Sequence, residues 1–570
     1  RRFRLELLID PEPAWALARL LLGLSVLVAA VCAGGGAAAI LSLWNRSKIG
    51  TVEPGPIPLS RRTLAVLAAA GLLAGVLLRM VWLDRVPSVL FQDDVTLMAP
   101  ALELEGALGD FRDSIRAVPY GVAKPFGSVG VLYLELYRAS LLLFGPTVFG
   151  LRFLSALAGC ACLLTAALVA RELLPAGGAT LALLALAGMR WHLILSRWGW
   201  NMIVIAPLLD LAVLFVLRAR RRGGTGSWIA AGLLVGIGAH VYLSAWVGLV
   251  GVLALSVWPG RKEVPAAARL KIAAIVLGAF LAAASPLFLF RAGRTFSYFV
   301  RTAHHNVLAE IRYTRSLGPP VRAAADALSS AWLVGDPEPR HDLAGKSRLG
   351  WILGIPAAVA LASALRFPRR EFSAYLFVLS GSALAAAIAG GEGGNPNSVR
   401  FGYLSTAAGV AAAGGILILV SAVEPSRRRA AALACVGLLA INGCLGARDS
   451  ILDWPARPQT WRSFHGVDTA LARAAIRWER YGSVAMANGL GVEPTTIEAV
   501  RRFRLDPDAP AAVPAAPGPE RRGFRIVHPS SALLPGERVV ERVVDPGGKV
   551  EAVVAGRPAV PGSRTPAPRG

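Results

Sequence analysis

The sequence predicts an all-α polytopic membrane protein of about 12–13 transmembrane helices, followed by a small mixed α/β region. Hydrophobic residues make up 55% of the 570 residues and charged residues 17%, and the mean hydropathy is +0.54. Soluble domains are roughly 45–50% apolar and about 25% charged. The apolar residues fall in charge-poor blocks of roughly 17–25 residues, the length of a helix that crosses about 30 Å of hydrocarbon. A soluble fold would lack the polar surface to cover a dozen such blocks.

The helices are predicted from these apolar blocks. They occupy residues 15–43, 62–83, 128–146, 150–173, 176–190, 200–218, 228–258, 270–290, 349–366, 373–390, 401–420 and 429–446. Block 228–258 is too long for one ordinary crossing, so we expect two short spans with a turn near His240–Ser244.

The orientation is predicted from the basic connections between blocks, because cytoplasmic loops carry an excess of Lys and Arg. The basic connections are 45–62, 218–224, 259–271, 366–371 and 424–429. The outward loops are then 84–127, 291–348, 391–400 and everything after 447. An odd number of crossings must separate loop 84–127 from cluster 218–224, yet four blocks lie there. One of them, with 176–190 as the candidate, should be short, re-entrant or fused with its neighbour.

The charge and the cysteines exclude two classes of protein. The net charge of +24 would suggest nucleic acid in a soluble chain, but here the Arg clusters follow the loop pattern of a membrane protein. All five cysteines lie inside apolar blocks, which argues against a disulfide framework or a thiolate metal site.

The predicted organisation has four parts. Residues 1–61 form an N-terminal span and cytoplasmic loop, 62–446 the transmembrane domain, 447–555 an extracytoplasmic region, and 556–570 a disordered tail. Within the third part we expect a helix around Asp468–Tyr481, a Pro/Ala-rich linker at 506–519, and a few strands after it with the "DPGG" turn.

The first outward loop carries the best candidates for chemistry. Asp93 and Asp94 follow an apolar span and precede an amphipathic segment at Ala99–Leu108, which suits a helix on the membrane surface. Paired acids can accept a proton from an attacking hydroxyl or hold a divalent cation. The alternative is that they cap the following helix. No metal is assigned, and a divalent cation is left open.

Several motifs, taken in order, resemble the GT-C superfamily of membrane glycosyltransferases, which includes protein O-mannosyltransferases and aminoarabinose transferases. The resemblance covers roughly residues 62–446. The motifs are the acidic pair with the surface helix, Lys124-Pro125, Phe144-Gly145 with Arg152, "LSRWGWN" at 195–201, "GLLVGIGAHVYLSAW" at 232–246, "VGDPEPRHDLAG" at 334–345 and "NPNSVRFGYLSTAAG" at 395–409.

The resemblance implies roles for these residues. Asp93 is the expected general base, and Asp94 orients it or assists a metal. Lys124 and Arg400 are expected to bind the donor phosphate, the alternative for each being a membrane-edge cation. Five further residues are expected to line the cavity: Arg197, His240, Tyr242, Arg340 and His341. For His240 the alternative is a bond to a neighbouring helix, and for the two long-loop residues it is simple solvation.

The implied function is transfer of a sugar from a polyprenyl-phosphate donor to a protein, lipid or glycan acceptor, on the outer face of a bacterial plasma membrane. The implied partners are the lipid-linked sugar, the unknown acceptor and the bilayer, without nucleic acid. Some relatives carry a second acid where this chain has Asn201, which puts a two-acid metal site in doubt. The alternatives are a secondary transporter, or a polysaccharide polymerase or ligase of a different membrane fold.

Overall fold

The computed structural model describes most of the chain after its first fifty residues. The described residues are 52–91, 94–95, 97–102, 131–242, 244–259, 264–285, 287, 307–389, 398–479, 481–487, 490, 494–506 and 522–556. The chain divides into two compact units, Arg1–Glu53 and Pro54–Gly570. The fold described below is that of the second unit, and the predicted block 15–43 lies outside the described residues.

Nineteen α-helices of at least five residues and four strands form the described part of this unit. The helices are α1 Arg61–Met80, α2 Met98–Leu102, α3 Val131–Phe144, α4 Val148–Leu173, α5 Gly178–Ala187, α6 Arg190–Arg197, α7 Met202–Arg222, α8 Thr225–Val241, α9 Ser244–Val257, α10 Ala266–Ala284, α11 Val307–Thr314, α12 Gly318–Trp332, α13 Gly350–Arg366, α14 Glu371–Ala389, α15 Ser405–Ala422, α16 Arg428–Arg448, α17 Pro458–Ser463, α18 Gly466–Glu479 and α19 Pro494–Arg502. A 3₁₀ segment at Ser398–Leu404 precedes α15, and short helical turns at Pro425–Arg427, Asp449–Asp453 and Trp454–Ala456 flank α16.

Up to eight helical segments of the described residues are long and apolar enough to cross a membrane. Seven do so as single helices, and α5 with α6 forms an eighth, bent by 61°. Three further apolar helices, α8, α9 and α13, are shorter. The polytopic all-α class predicted from the sequence is confirmed.

The basic connections meet at one end of this bundle, called here the basic end. Arg221 pairs with Glu172 at 3.0 Å and with Glu371 at 2.8 Å, and Arg220 Nη1 donates to the carbonyl of Trp258 at 3.0 Å. Connections that are far apart in the sequence therefore share one end. The opposite end, where α1 finishes and α7 begins, is called here the loop end.

Four predicted blocks lie where an odd number of crossings is required, and the structure resolves this conflict because α3 does not cross the membrane. Arg152, at the start of α4, bonds the backbone just after α1, so α4 begins at the loop end. Tyr137, in the middle of α3, donates to the backbone carbonyl of Asp94, so α3 also lies there. Three crossings remain: α4, the bent pair α5–α6, and α7. Segment 176–190 crosses together with α6, and the block at 128–146 is the one that stays at one end.

The 228–258 block is broken as the sequence predicted. Helix α8 ends at Val241 and α9 begins at Ser244. Tyr242 between them has extended backbone, with φ −162° and ψ 155°. The side-chain amide of Asn201, at the start of α7, donates to the carbonyl of Val241 at 2.8 Å. This bond satisfies a helix-terminal carbonyl and fixes the break at the loop end.

The C-terminal appendage, residues 458–556, contains both helices and strands, as the sequence predicted. Its strands β1 Gly482–Met486, β2 Arg522–Val527, β3 Arg538–Val544 and β4 Val550–Gly556 form one sheet in the order β1-β2-β4-β3. The β1–β2 pair is parallel, and the other two pairs are antiparallel. The predicted helix near Asp468–Tyr481 is α18. Most of the predicted linker and of the tail lies outside the described residues.

Candidate active site at the loop end

The loop that leads from α1 to the acidic pair is fixed by a buried arginine. Arg152 is 1% exposed, and its guanidinium donates to the carbonyls of Leu83 at 3.0 Å, Pro87 at 2.8 Å and Val89 at 2.7 Å. A planar guanidinium with five donors suits this task. The buried carbonyls of an irregular loop need partners, and Arg152 supplies them.

A second buried arginine also donates hydrogen bonds to the backbone of this loop. Arg197, at the end of α6, donates to the carbonyls of Leu78 at 2.7 Å, Trp82 at 3.0 Å and Val86 at 3.3 Å. The predicted cavity-lining residue therefore bonds loop backbone in this structure. Its predicted contact with substrate stays a prediction.

Asp94 lies where this loop turns into the next helical segment. It is 3% exposed, its N–H donates to the carbonyl of Phe91 at 3.0 Å, and its own carbonyl accepts from the Tyr137 hydroxyl at 3.1 Å. Its carboxylate also acts electrostatically on Arg152. Asp93 and Lys124 lie outside the described residues, so their predicted roles stay predictions.

An aromatic cluster surrounds Phe91, three residues before Asp94. The ring of Phe91 lies 5.7 Å from Trp198, 5.7 Å from Trp200 and 6.1 Å from Phe464, measured between centroids. Trp198 in turn lies 4.8 Å from Trp200 and 5.1 Å from Phe464. These distances are typical of favourable aromatic pairs. The cluster joins the first loop, the "SRWGW" segment and the C-terminal appendage.

The long loop 334–349 reaches the same cluster. The guanidinium of Arg340 lies 4.7 Å from the centre of the Phe91 ring, a cation–π distance. The imidazole of His341 stacks on Trp198 at 6.1 Å, and its Nδ1 lies 3.0 Å from the buried carboxylate of Asp336. Both predicted long-loop residues thus lie against the walls of the site.

The same loop connects the cluster to the segment that carries Arg400. Arg348 lies 3.3 Å from Asp336 and stacks over Trp191 at 5.3 Å and Phe401 at 4.7 Å. Burial lowers the pKa of Arg348 to about 10, so it stays protonated at neutral pH. Arg400 precedes Phe401 in the 3₁₀ segment, so its backbone lies next to this arrangement at the loop end.

His240 and Tyr242 lie at the α8–α9 break. His240 is 8% exposed, and its Nε2 lies 2.9 Å from the carbonyl of Ala283 on α10. This contact is the helix-to-helix bond that the sequence offered as the alternative for His240. Tyr242 is partly buried, and its neighbour Val241 is bonded to Asn201.

The appendage contributes residues that sequence reasoning missed. Phe464 packs against Phe91 and Trp198, and Thr469 Oγ1 bonds both the N–H of Leu90, at 3.3 Å, and its carbonyl, at 3.4 Å. These partners are 379 positions apart, so no local pattern could reveal the contact. The aromatic run "WRSFH" at 461–465 was the one available signal.

The last feature of the site concerns metal-binding side chains within the described ranges. There, no group of three or more His, Cys, Asp or Glu side chains is placed to hold a metal ion. Asp93 is not part of those ranges.

Comparison with known proteins identifies the fold of this arrangement. Residues 130–290 match the family model described as dolichyl-phosphate-mannose-protein mannosyltransferase. The crystal structure of ArnT from Cupriavidus metallidurans bound to undecaprenyl phosphate is 15% identical, covers 87% of this chain and 98% of that chain, and has a TM-score of 0.53. The apo state of the same protein is 13% identical, covers 86% and 97%, and has a TM-score of 0.50. None of the curated protein sequences matches the chain.

The chain has a GT-C-like membrane fold. The structural match shows this fold, and the family match at residues 130–290 indicates a glycosyltransferase. The fold predicted from ordered motifs is therefore confirmed. A polymerase or ligase of a different membrane fold is excluded by the fold, and the family match favours a GT-C glycosyltransferase over a secondary transporter.

Proposed function

We propose that this glycosyltransferase moves a sugar from a polyprenyl-phosphate donor to a hydroxyl-bearing acceptor on the extracytoplasmic face of the plasma membrane. The observation that carries the proposal is the convergence at the loop end. The first loop with Asp94, the "SRWGW" segment, the long loop and the 3₁₀ segment with Arg400 come together there, although they are distant in the sequence.

The extracytoplasmic placement is supported by the opposite end of the bundle. The basic connections gather there, around Arg218–Arg222, Pro368–Arg370 and Arg427–Arg429. Such clusters remain in the cytoplasm during membrane insertion. With an odd number of crossings between the two ends, the candidate active site lies on the other face.

The lipid-linked donor is supported by the relative and by the charge of the site. The related ArnT structure contains undecaprenyl phosphate. At the loop end of this chain, Arg152, Arg197 and Arg348 lie buried, and Arg400 follows next to Phe401. Positive groups fixed in a low-dielectric site stabilise a phosphate leaving group. Lys124 and Arg400 are the proposed phosphate-binding residues.

In the proposed reaction the acceptor hydroxyl attacks the anomeric carbon of the donor. A new glycosidic C–O bond forms, and the bond from the anomeric carbon to the phosphate oxygen breaks with inversion. Asp93 takes the hydroxyl proton, Asp94 positions Asp93, and the electron pair leaves on the polyprenyl phosphate. Arg340 and His341, His240 and Tyr242, and Arg197 are proposed to shape the cavity around these groups.

The direct test measures release of undecaprenyl phosphate from a panel of labelled undecaprenyl-phosphate sugars by the purified protein in detergent. Removing a positioned general base lowers rates by about 10²–10⁴-fold, so Asp93→Asn should lose at least about 100-fold. Asp84→Asn, in the same loop with a half-exposed side chain, is the matched control and should keep wild-type release. Undiminished release by Asp93→Asn would remove this residue from the mechanism.

The proposed orientation has its own test, in a variant from which all five cysteines have been removed. A cysteine at Arg85, exposed in the first loop, should react with an impermeant maleimide on intact cells. A cysteine at Thr225, exposed beside the basic cluster, should react only after permeabilisation. The reverse pattern would place the site in the cytoplasm and contradict the proposal.

A further inference from the structure

Helix α12, at the loop end, presents an exposed apolar face. Its buried side chains, Pro319, Ala323 and Ser330, form one stripe, and the helix packs against α13 and α14. Val321 and Leu328 each lie two residues from a member of this stripe, about 200° around the helix axis, and they are 64% and 55% exposed. A helix whose outer face meets water carries polar residues there. The outer face of α12 is apolar instead, so we expect an apolar medium to cover it.

The exposed apolar surface continues from α12 onto the start of α13. Four further large apolar side chains are more than half exposed there: Leu333, Val334, Trp351 and Ile355. The two helices are joined by Trp332, whose indole N–H donates to the carbonyl of Gly354 at 3.0 Å. Helix α13 runs from this junction to the basic end, where the carbonyl of Pro368 accepts from Trp258. The outer face of α12 is therefore continuous with a surface that meets lipid.

The junction of α12 and α13 lies at the boundary between hydrocarbon and water. Trp351, in the first turn of α13, is exposed, and exposed tryptophans are enriched at this boundary in membrane proteins. The other side of α12 bonds the long loop, because the N–H groups of Arg348 and Leu349 donate to the carbonyls of Ser330 and Ala331 at 3.1 and 3.2 Å. A helix with lipid on one face and a polar loop on the other is suited to lie in the plane of the interface.

Three exposed arginines border the apolar face. Arg312 and Arg315 precede α12, and Arg322 lies within it. The one acidic residue among residues 311–334 is Asp326, which is partly buried and interacts electrostatically with Arg322. The exposed charge of this segment is therefore positive. The stem of an arginine can lie along apolar surface while its guanidinium reaches a phosphate, which it binds through two parallel hydrogen bonds.

We propose that α12 is an interfacial helix that binds anionic phospholipid headgroups in the leaflet at the loop end. Val321 and Leu328 insert among the upper parts of the acyl chains. Arg312, Arg315 and Arg322 bind the phosphates of neighbouring lipids. An anionic headgroup fits better than phosphatidylcholine, whose own ammonium group repels the guanidinium. This inference goes beyond sugar transfer, and its test requires no enzymatic activity.

The test uses phospholipids that carry a nitroxide on an acyl chain near the headgroup, which quench a nearby fluorophore at short range. The fluorophore NBD is attached through Leu328→Cys in the cysteine-free variant of the full chain. The labelled protein is reconstituted in bilayers of equal parts phosphatidylcholine and phosphatidylglycerol, with the nitroxide on one lipid or on the other. A comparison of the two samples gives the relative affinity of the site for the two headgroups.

We expect strong quenching at residue 328, with phosphatidylglycerol favoured roughly three- to tenfold over phosphatidylcholine. One arginine near an anionic surface changes an equilibrium constant about fivefold, and salt screens part of this attraction at an exposed site. High salt should therefore lower the preference in the chain with all its arginines, a measurement that needs no further substitution. NBD attached through Lys549→Cys, in the exposed β3–β4 turn of the appendage, should remain unquenched.

Two variants that lose the same charge identify the arginines responsible. Quenching without headgroup preference is expected from the combined substitutions Arg312→Gln, Arg315→Gln and Arg322→Gln. The matched control replaces three exposed arginines of the appendage and should keep the preference: Arg504→Gln, Arg538→Gln and Arg542→Gln.

Several results would overturn the inference without touching the proposed function. Quenching at residue 328 that is no stronger than at residue 549 would show that the bilayer does not cover α12. A blue-shifted but unquenched emission would assign the face to a second copy of the chain or to another protein. Equal quenching by the two lipids, a preference that survives loss of the three α12-border arginines, or one that the control variant loses equally, would refute the binding of anionic headgroups.

Discussion

Replacing Arg152 with Met should free the acid-bearing loop without removing any group that touches substrate. The buried guanidinium makes three hydrogen bonds to the carbonyls of Leu83, Pro87 and Val89. Bonds to a charged group contribute about 1.5 kcal/mol each at the low end, about 4.5 kcal/mol together. The buried charge also costs desolvation free energy, which the substitution removes. If desolvation offsets about half of the hydrogen-bond free energy, the substitution should destabilise the closed loop by about 2 kcal/mol. That corresponds to a roughly 30-fold increase in the equilibrium constant for loop opening.

Hydrogen exchange followed by mass spectrometry measures this opening directly. Amides of residues 83–91 should exchange roughly 30-fold faster in Arg152→Met than in the wild type, while amides of α18 change less. Arg85→Met is the control, because Arg85 lies in the same loop, is 61% exposed and pairs only weakly with Asp84 at 3.8 Å. Exchange of the loop that is the same in Arg152→Met as in Arg85→Met would refute the idea that Arg152 holds the loop in place.

Two further predictions concern stability. At Gly446 on α16, an added Cβ would lie 1.9 Å from the carbonyl oxygen of Gly188, so Gly446→Ala should lower the free energy of unfolding by about 1–3 kcal/mol through overpacking. The control is Gly437→Ala on the same helix, where an added Cβ meets nothing within 4 Å and should not lower the unfolding temperature. Equal effects of the two substitutions would refute the close approach of α16 to Gly188. In the β3–β4 turn, hydrogen bonds from the backbone N–H of Lys549 and then from Arg462 lower the pKa of Asp545. The stability from this depressed pKa is present above the ordinary carboxyl pKa and is lost as the pH falls through the folded-state value. Asp545→Asn should therefore unfold at a lower temperature than the wild type at about pH 7 and approach it at about pH 3, and a constant difference would contradict the assignment.

The crossings could be predicted from the sequence because hydrophobic length is a local property. The 228–258 block was divided correctly since its length exceeds one span. The position of α3 could not be predicted in this way. Its residues are as apolar as those of a crossing helix, and only the contacts of Tyr137 and Arg152 with the first loop keep it at one end.

The site was predictable to the extent that its parts carry motifs. The segments around Trp198, His341 and Phe401 were each recognised, and the structure joins them through ring contacts and the Asp336 carboxylate. Phe464 and His465 were not recognised, because their partners in the first loop are hundreds of positions away. Side-chain direction was equally hidden, as Arg197 shows by bonding backbone where an open cavity was expected.

The partners of the buried arginines determine the electrostatics of the site. Arg79 bonds the carbonyls of Gly75 and Leu186, and Arg152 and Arg197 also donate to carbonyls. A carbonyl dipole satisfies the donors of a guanidinium but does not cancel its charge, as a carboxylate would. Arg348, in contrast, is neutralised in part by Asp336. The loop end thus retains positive charge in a buried setting, where Coulomb interactions are stronger than in water. Such a field lowers the free energy of an anionic leaving group, which is what the proposed transfer requires at this end of the bundle.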